Sequence, residues 1–166
     1  MHDDDGCALR IAMDDRNDGV IATRGFAPGD TVMLGVPGHP APSNHSHANQ
    51  VSLTRWVFED GLGPKVNHSC DPNCGVRVNA TVEGFDFVAL RPIAEGEEIT
   101  FDYAMRNYAI EHFPARCLCG AGNCRGTVTG WKDLPAERKA AYGDLVAPYL
   151  LEAGAARAAD ASFAAI

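Results

Sequence analysis

Cys117, Cys119 and Cys124 form a C-x-C-x4-C run, with Gly120 and Gly122 between the last two cysteines. Thiolates are soft donors, and glycines that accept either sign of φ let a short loop fold its sulfurs onto one ion. A structural zinc ion takes four such ligands in a tetrahedron, so a fourth must come from elsewhere in the chain. Cys70 is the better candidate, because Asn67-His68-Ser69-Cys70-Asp71-Pro72-Asn73 is a turn-forming segment able to hold a thiolate outward; Cys74 is the competitor, and Cys7 reads as a small buried apolar residue. A site built on Cys70, Cys117, Cys119 and Cys124 would tie a late loop to the body of the domain. His45-x-His47 sits among Pro, Asn and Ser residues and reads as a solvated pair rather than a second metal site. Taken alone, Tyr103 reads as a strand tyrosine with a hydrogen-bonded hydroxyl, and Asn67-His68 as a turn.

The bulk composition narrows the classes. A chain of 166 residues with 46% apolar content is sized for one domain with a real core. Fourteen basic against 22 acidic residues give a net charge of −8, which repels a phosphate backbone and attracts a basic peptide. Direct nucleic-acid binding is therefore not expected. No apolar run approaches the roughly 18 residues of a membrane span, and Asp3-Asp4-Asp5 opposes the basic start of a signal peptide, so a cytoplasmic, non-secreted protein with reduced cysteines is expected.

Short strands and polar turns dominate the elements that must position these residues. Strands are predicted at 9–13, 20–22, 31–34 and 51–58, with 35–49 as a loop. A hairpin is predicted over 76–82 and 86–90 with its tight turn at Glu83-Gly84, and a further strand over 98–103. From 135 to about 152 the spacing of Tyr142, Leu145, Val146, Tyr149 and Leu150 predicts a helix, with Pro148 kinking it or starting a second short helix. Residues 154–166 are expected to form a flexible tail.

Three separated segments, Asn67-His68-Ser69-Cys70-Asp71-Pro72-Asn73, Gly96-Glu97-Glu98-Ile99-Thr100-Phe101-Asp102-Tyr103, and Cys117-Leu118-Cys119-Gly120 through Cys124-Arg125-Gly126, resemble in order the two signature motifs of SET domains and their post-SET zinc loop. Asn17-Asp18-Gly19 resembles the first cofactor-binding turn, although the family's usual first glycine is Asn17 here. The Arg-aromatic pair common before Asn67 is replaced by Pro64-Lys65-Val66.

The resemblance implies a mainly β, SET-domain fold of small curved sheets over 9–104, with the Tyr103 segment threaded beneath a loop in a knot-like arrangement. A linker and zinc loop over 105–127 and a helical extension over 128–153 would follow. It implies protein-lysine methylation from S-adenosylmethionine, held by Asn17, Asp18, Gly19, Asn67, His68, Tyr103 and Leu118, with Tyr103 catalytic and one structural zinc on the four cysteines. Phe101, placed two residues before Tyr103 on the same strand face, implies more than one methyl per lysine, and Trp56 and Phe58 are candidates to line the substrate channel. The implied partner is a basic protein or peptide carrying a lysine; monomer and homodimer both stay open. The rival is a SET-like module that keeps its zinc loop but only binds protein partners.

Overall fold

The computed structural model describes residues 6–11, 18–45, 47–111 and 116–154. Numbered in chain order, β1 (Cys7–Arg10), β2 (Gly19–Ala22), β10 (Glu98–Phe101), β8 (Cys74–Asn79), β9 (Gly84–Ala89) and β3 (Thr31–Met33) lie side by side in that order in one sheet, with the two-residue β7 (Asn67–His68) also on β10. A second, three-stranded sheet runs β4 (Gly38–Ala41), β6 (Arg55–Glu59), β5 (Ala48–Ser52). The architecture is mainly β, with the α-helices of the described residues near the C-terminal end, as the motifs imply.

Several boundaries differ from the sequence-based expectation. Residues 35–49 are not all loop: β4 and the start of β5 lie there, at 38–41 and 48–49. Three of the four β4 residues are exposed, so no alternation marks the strand, and Pro40 is accommodated because β4 is an edge. The single strand expected at 51–58 is two strands turning at Leu53-Thr54, where Ser52 Oγ accepts from the Thr54 N–H at 3.3 Å. The β8–β9 turn spans 80–83 rather than Glu83-Gly84, since Asn79 pairs with Gly84 and Glu83 takes the positive φ of 51°. The first strand ends at Arg10; 12–17 and 155–166, which include Asn17 and nearly all of the expected tail, lie outside the described residues.

The part of the fold that matters for the site is a crossing. β7 pairs in parallel with β10 (Thr100 with Asn67, Phe101 with His68), and β8 also pairs in parallel with it (Phe101 with Cys74). With β7 beside β10 and β8 holding its place in the main sheet, residues 69–73 cross over β10, and the chain leading to Tyr103 passes beneath them. Asn73, 1% exposed, closes the crossing: its Nδ2 donates to the Glu98 carbonyl at 2.8 Å and its Oδ1 accepts the Thr100 N–H at 2.8 Å. One side-chain amide thus replaces a peptide group in the ladder.

β10 ends at Phe101, and Tyr103–Met105 is a turn of 3-10 helix in which the Asp102 side chain accepts the Ala104 N–H. Tyr103 is therefore not on the strand face of Phe101 as expected. Of the two outcomes expected at Pro148, a kink or a new helix, the structure takes the second: a short helix runs over 148–154 starting at Pro148, and Ala136–Tyr142 before it stops at Gly143, whose φ is +57°. Trp131, Leu134, Tyr142, Val146, Ala147 and Leu150 belong to the same buried cluster as Val20, Val76, Phe87 and Phe101, each large side chain contributing about 1.5–3 kcal/mol of burial. The extension is also hydrogen-bonded in, Val76 N–H to the Leu145 carbonyl at 3.0 Å and Ala147 N–H to the Met105 carbonyl at 2.7 Å.

Candidate functional site

The ligand atoms of Cys70, Cys117, Cys119 and Cys124 lie within 4.8 Å of one another. A tetrahedral zinc with Zn–S bonds of about 2.3 Å sets its sulfurs about 3.8 Å apart; Cys70 and Cys117 are already 3.9 Å apart. The donor set and its spacing fit the ion. Backbone N–H groups supply the charge-stabilising bonds that thiolates need, Arg125 to Cys70 Sγ and Gly126 to Cys124 Sγ, both at 3.4 Å. Burial pushes the Cys70 and Cys117 thiols up. At Cys119 burial acts the same way but is outweighed by N–H donors from Cys70 and Ala121 and by the neighbouring thiols, which bring it down to about 7. Cys74, the competing ligand, is fully buried in β8 away from this cluster, and Cys7 is likewise buried, its thiol directed at the Val32 carbonyl. Leu118, between two of the sulfurs, is 55% exposed, an apolar side chain free to cover a bound group.

Beside the cluster, β7 presents Asn67 and His68. Asn67 Nδ2 donates to Glu98 Oε1 at 2.8 Å and to the Asp18 carbonyl at 3.3 Å, and Glu98 pairs with Arg10 at 3.2 Å. The Asp18-Gly19 turn and Asn67 are thus brought together. A Cβ at Gly19 would stand 2.6 Å from Glu98 Oε1 and 3.0 Å from Asn67 Nδ2, so a larger residue there would push these two side-chain ends out of their present pairing. His68 is held at both ring nitrogens: Nδ1 accepts the Tyr103 N–H at 3.2 Å, and Nε2 lies 3.4 Å from Cys70 Sγ. Burial drives its pKa down to about 4 against the pull of Asp102, with Arg125 acting in the same direction as burial. His68 is therefore a neutral, fixed link between the sulfur cluster and Tyr103.

Tyr103 donates its hydroxyl to the Val66 carbonyl at 3.2 Å, and its ring packs on Phe101 (5.0 Å between centroids) and His68 (5.2 Å). Burial pushes the phenol up to about 12, so at neutral pH it is a hydrogen-bonding group and not a base. Phe101, fully buried, is wedged between Phe87 and Tyr103. Trp56 and Phe58 project together from β6 in the small sheet, where Phe58 packs on His39 and His45.

Residues that motif reading left without a role hold the arrangement. Asp102 accepts from Arg125 and Tyr142, Glu98 orients Asn67, and Arg106 lies over the Phe101 ring at 4.9 Å. Asp102, Glu98 and Arg125 stood inside recognised motifs, but their partners are 23 to 40 residues away or, for Asn67, 31, and no spacing rule marks them.

The SET domain family model matches residues 17–104. The chain belongs to the SET domain family. It is 45% identical over 71 residues to the histone-lysine N-methyltransferase Set2 of Drosophila melanogaster, covering 41% of this chain and 3% of that protein. It is 41% identical over 69 residues to an H3 lysine-4 specific histone-lysine N-methyltransferase of Saccharomyces cerevisiae, covering 40% and 6%. The chain thus corresponds to a small part of these long relatives. Among solved structures, that of KRYPTONITE in complex with mCHH DNA, an H3(1-15) peptide and SAH superposes with a TM-score of 0.58 at 20% identity, over 74% of this chain and 29% of that one, and shares the fold.

Proposed function

We propose that this chain is the catalytic module of a protein-lysine N-methyltransferase that draws its methyl group from S-adenosylmethionine. The observation that carries it is the convergence of Tyr103, the Asn67-His68 strand and the Asp18-Gly19 turn beside four clustered thiols, in a family whose matched relatives are named histone-lysine N-methyltransferases. When bound, S-adenosylmethionine supplies a methyl group made electrophilic by its sulfonium. Asp18, Gly19, Asn67 and His68 would hold it, with Leu118 covering it and one structural zinc fixing the loop that carries Leu118. Asn17 joins this set on the resemblance of its motif.

The amine must arrive neutral. A lysine of pKa about 10.4 costs about 4 to 5 kcal/mol to deprotonate at pH 7. Apolar lining lowers that cost by disfavouring the ammonium, so Tyr103, a protonated phenol, need only orient the amine. Phe101 would leave room beside Tyr103 for a methylated amine, giving products beyond monomethyl-lysine, and Trp56 and Phe58 would line the approach. The partner is a basic protein or peptide, in keeping with the net charge of −8 and with the histones named for the relatives. No helix among the described residues is long and apolar enough to cross a membrane; the cytoplasm, or the nucleus of a eukaryote, is the compartment we assign.

Transfer of tritium from labelled S-adenosylmethionine to a lysine peptide library, with Tyr103→Phe as control, tests the proposal. Label on lysine that is lost in the control is expected. A folded, zinc-loaded protein that labels no peptide, or labels equally without the hydroxyl, would overturn it, and product mass spectra that stop at monomethyl-lysine would sink the role given to Phe101.

A further inference from the structure

Asp102 is fully buried, and every acceptor position of its carboxylate is taken. Oδ2 accepts from Arg125 Nη1 at 2.6 Å and from the Tyr142 hydroxyl at 2.7 Å; Oδ1 accepts from Arg125 Nη2 at 3.0 Å and from the Ala104 N–H at 3.1 Å. The donors come from separate segments. Arg125 follows the sulfur ligand Cys124, Tyr142 ends the first C-terminal helix, and Ala104 is the second residue of the turn that Tyr103 begins. Arg138 of the same helix donates to the Cys70 carbonyl at 3.0 Å, so the helix grips the sulfur cluster as well. A buried charge with bidentate guanidinium pairing holds its geometry far more tightly than an exposed pair.

We propose that Asp102 is a positioning residue: its carboxylate clamps the zinc loop and the C-terminal helix onto the backbone that presents Tyr103, so that lid closure and tyrosine placement are set together. The clamp rests on the proposed methyl-donor site, because its lid is the loop that would cover the donor. Tyr103 is the adjoining residue, and its N–H is fixed on His68, itself bonded to Cys70; displacing Asp102 therefore displaces the Tyr103 backbone and the sulfur cluster in one motion. Toward Asp102 the Tyr142 hydroxyl is the donor, and burial first and the Asp102 charge second push its phenol far up, so it keeps that proton. The extension beyond the zinc loop thereby becomes a working part of the site.

The test uses the full zinc-loaded chain and variants Asp102→Asn, Tyr142→Phe and Arg125→Lys. It reads S-adenosylhomocysteine affinity by calorimetry at 25 °C, zinc release to a chromogenic chelator, and thermal unfolding. Tyr142→Phe should fold, bind S-adenosylhomocysteine about fivefold more weakly and release zinc faster; Asp102→Asn, which confronts Arg125 with an amide, should lose about tenfold or more. Arg125→Lys should fall between, since an ammonium cannot make the bidentate pair. Adding Tyr142→Phe to Asp102→Asn should cost nothing further, because both act through one carboxylate. Variants that melt earlier but keep wild-type affinity and zinc release have lost only stability, and that result, or additive losses in the double variant, overturns the clamp. If Asp102→Asn does not fold, the other two decide. Wild-type protein that binds no S-adenosylhomocysteine would sink the methyl-donor site instead, leaving zinc release to judge the clamp.

Discussion

Replacing Asn73 by alanine should strongly destabilise the domain although Asn73 touches no proposed ligand. The truncation strips the Thr100 N–H and the Glu98 carbonyl of their partners, both at 2.8 Å, on a strand whose neighbouring Ile99 is fully buried. Each buried group left unpaired costs about 1–3 kcal/mol. The bond to Glu97 at 3.2 Å adds little, because Glu97 keeps Arg91 at 2.7 Å. The loss for the two groups is then about 2–6 kcal/mol, against a total stability of about 5–15 kcal/mol for a domain. Urea titration at constant free zinc, followed by tryptophan fluorescence, should show the midpoint falling with an unchanged slope. Asn73→Asp is the sharper control: it keeps an acceptor for Thr100 but turns a carboxylate toward the Glu98 carbonyl and the Glu97 side chain, so at pH 7 it should be at least as destabilising. An alanine variant within about 1 kcal/mol of wild type at the same slope would refute the idea that this amide locks the crossing.

Three further outcomes follow from the same geometry. Tyr103→Phe loses one hydroxyl bond to the Val66 carbonyl, so stability should change by no more than about 1 kcal/mol while methyl transfer falls at least about a hundredfold, as rates and melting curves on one preparation would show. Gly19→Ala places a methyl group 2.6 Å from Glu98 Oε1 and should weaken S-adenosylhomocysteine binding about tenfold, with Glu98→Ala in the same chain restoring part of it; calorimetry reads both. Cys119→Ser should drop zinc well below one ion per chain by metal analysis and raise amide exchange across 116–126 while β8 and β9 stay protected.

What could be read from the sequence divides by the reach of the interaction. C-x-C-x4-C is legible because its ligands are neighbours in the chain and zinc dictates their type; Cys70 needed a turn and a family motif to be preferred over Cys74, and the structure puts Cys70 among the sulfurs and Cys74 in the core. β2, three of whose four residues are buried, and the all-buried β9 are legible through their apolar runs. β4 was not, because an exposed edge strand pairs only through its backbone and leaves no pattern. The helical spacing that runs unbroken from Tyr142 to Leu150 concealed the break at Gly143, since the buried side chains on both sides of it face the same core.

Asn73 and Asp102 both lie within motifs that assign them no task, and the reason is physical. A side chain that completes a ladder or a charge pair acts through partners chosen by topology, 25 to 27 residues away for Asn73 and 23 and 40 for Asp102. Each bears on the same few residues, Asn73 on the strand entering the crossing and Asp102 on the turn leaving it. Tyr103 is therefore gripped on both sides of its own position, and the N–H it donates to His68 joins that grip to the sulfur cluster. Loosening the metal, the crossing or the C-terminal helix should each reach the tyrosine, by three routes that meet at the backbone of residues 101–104.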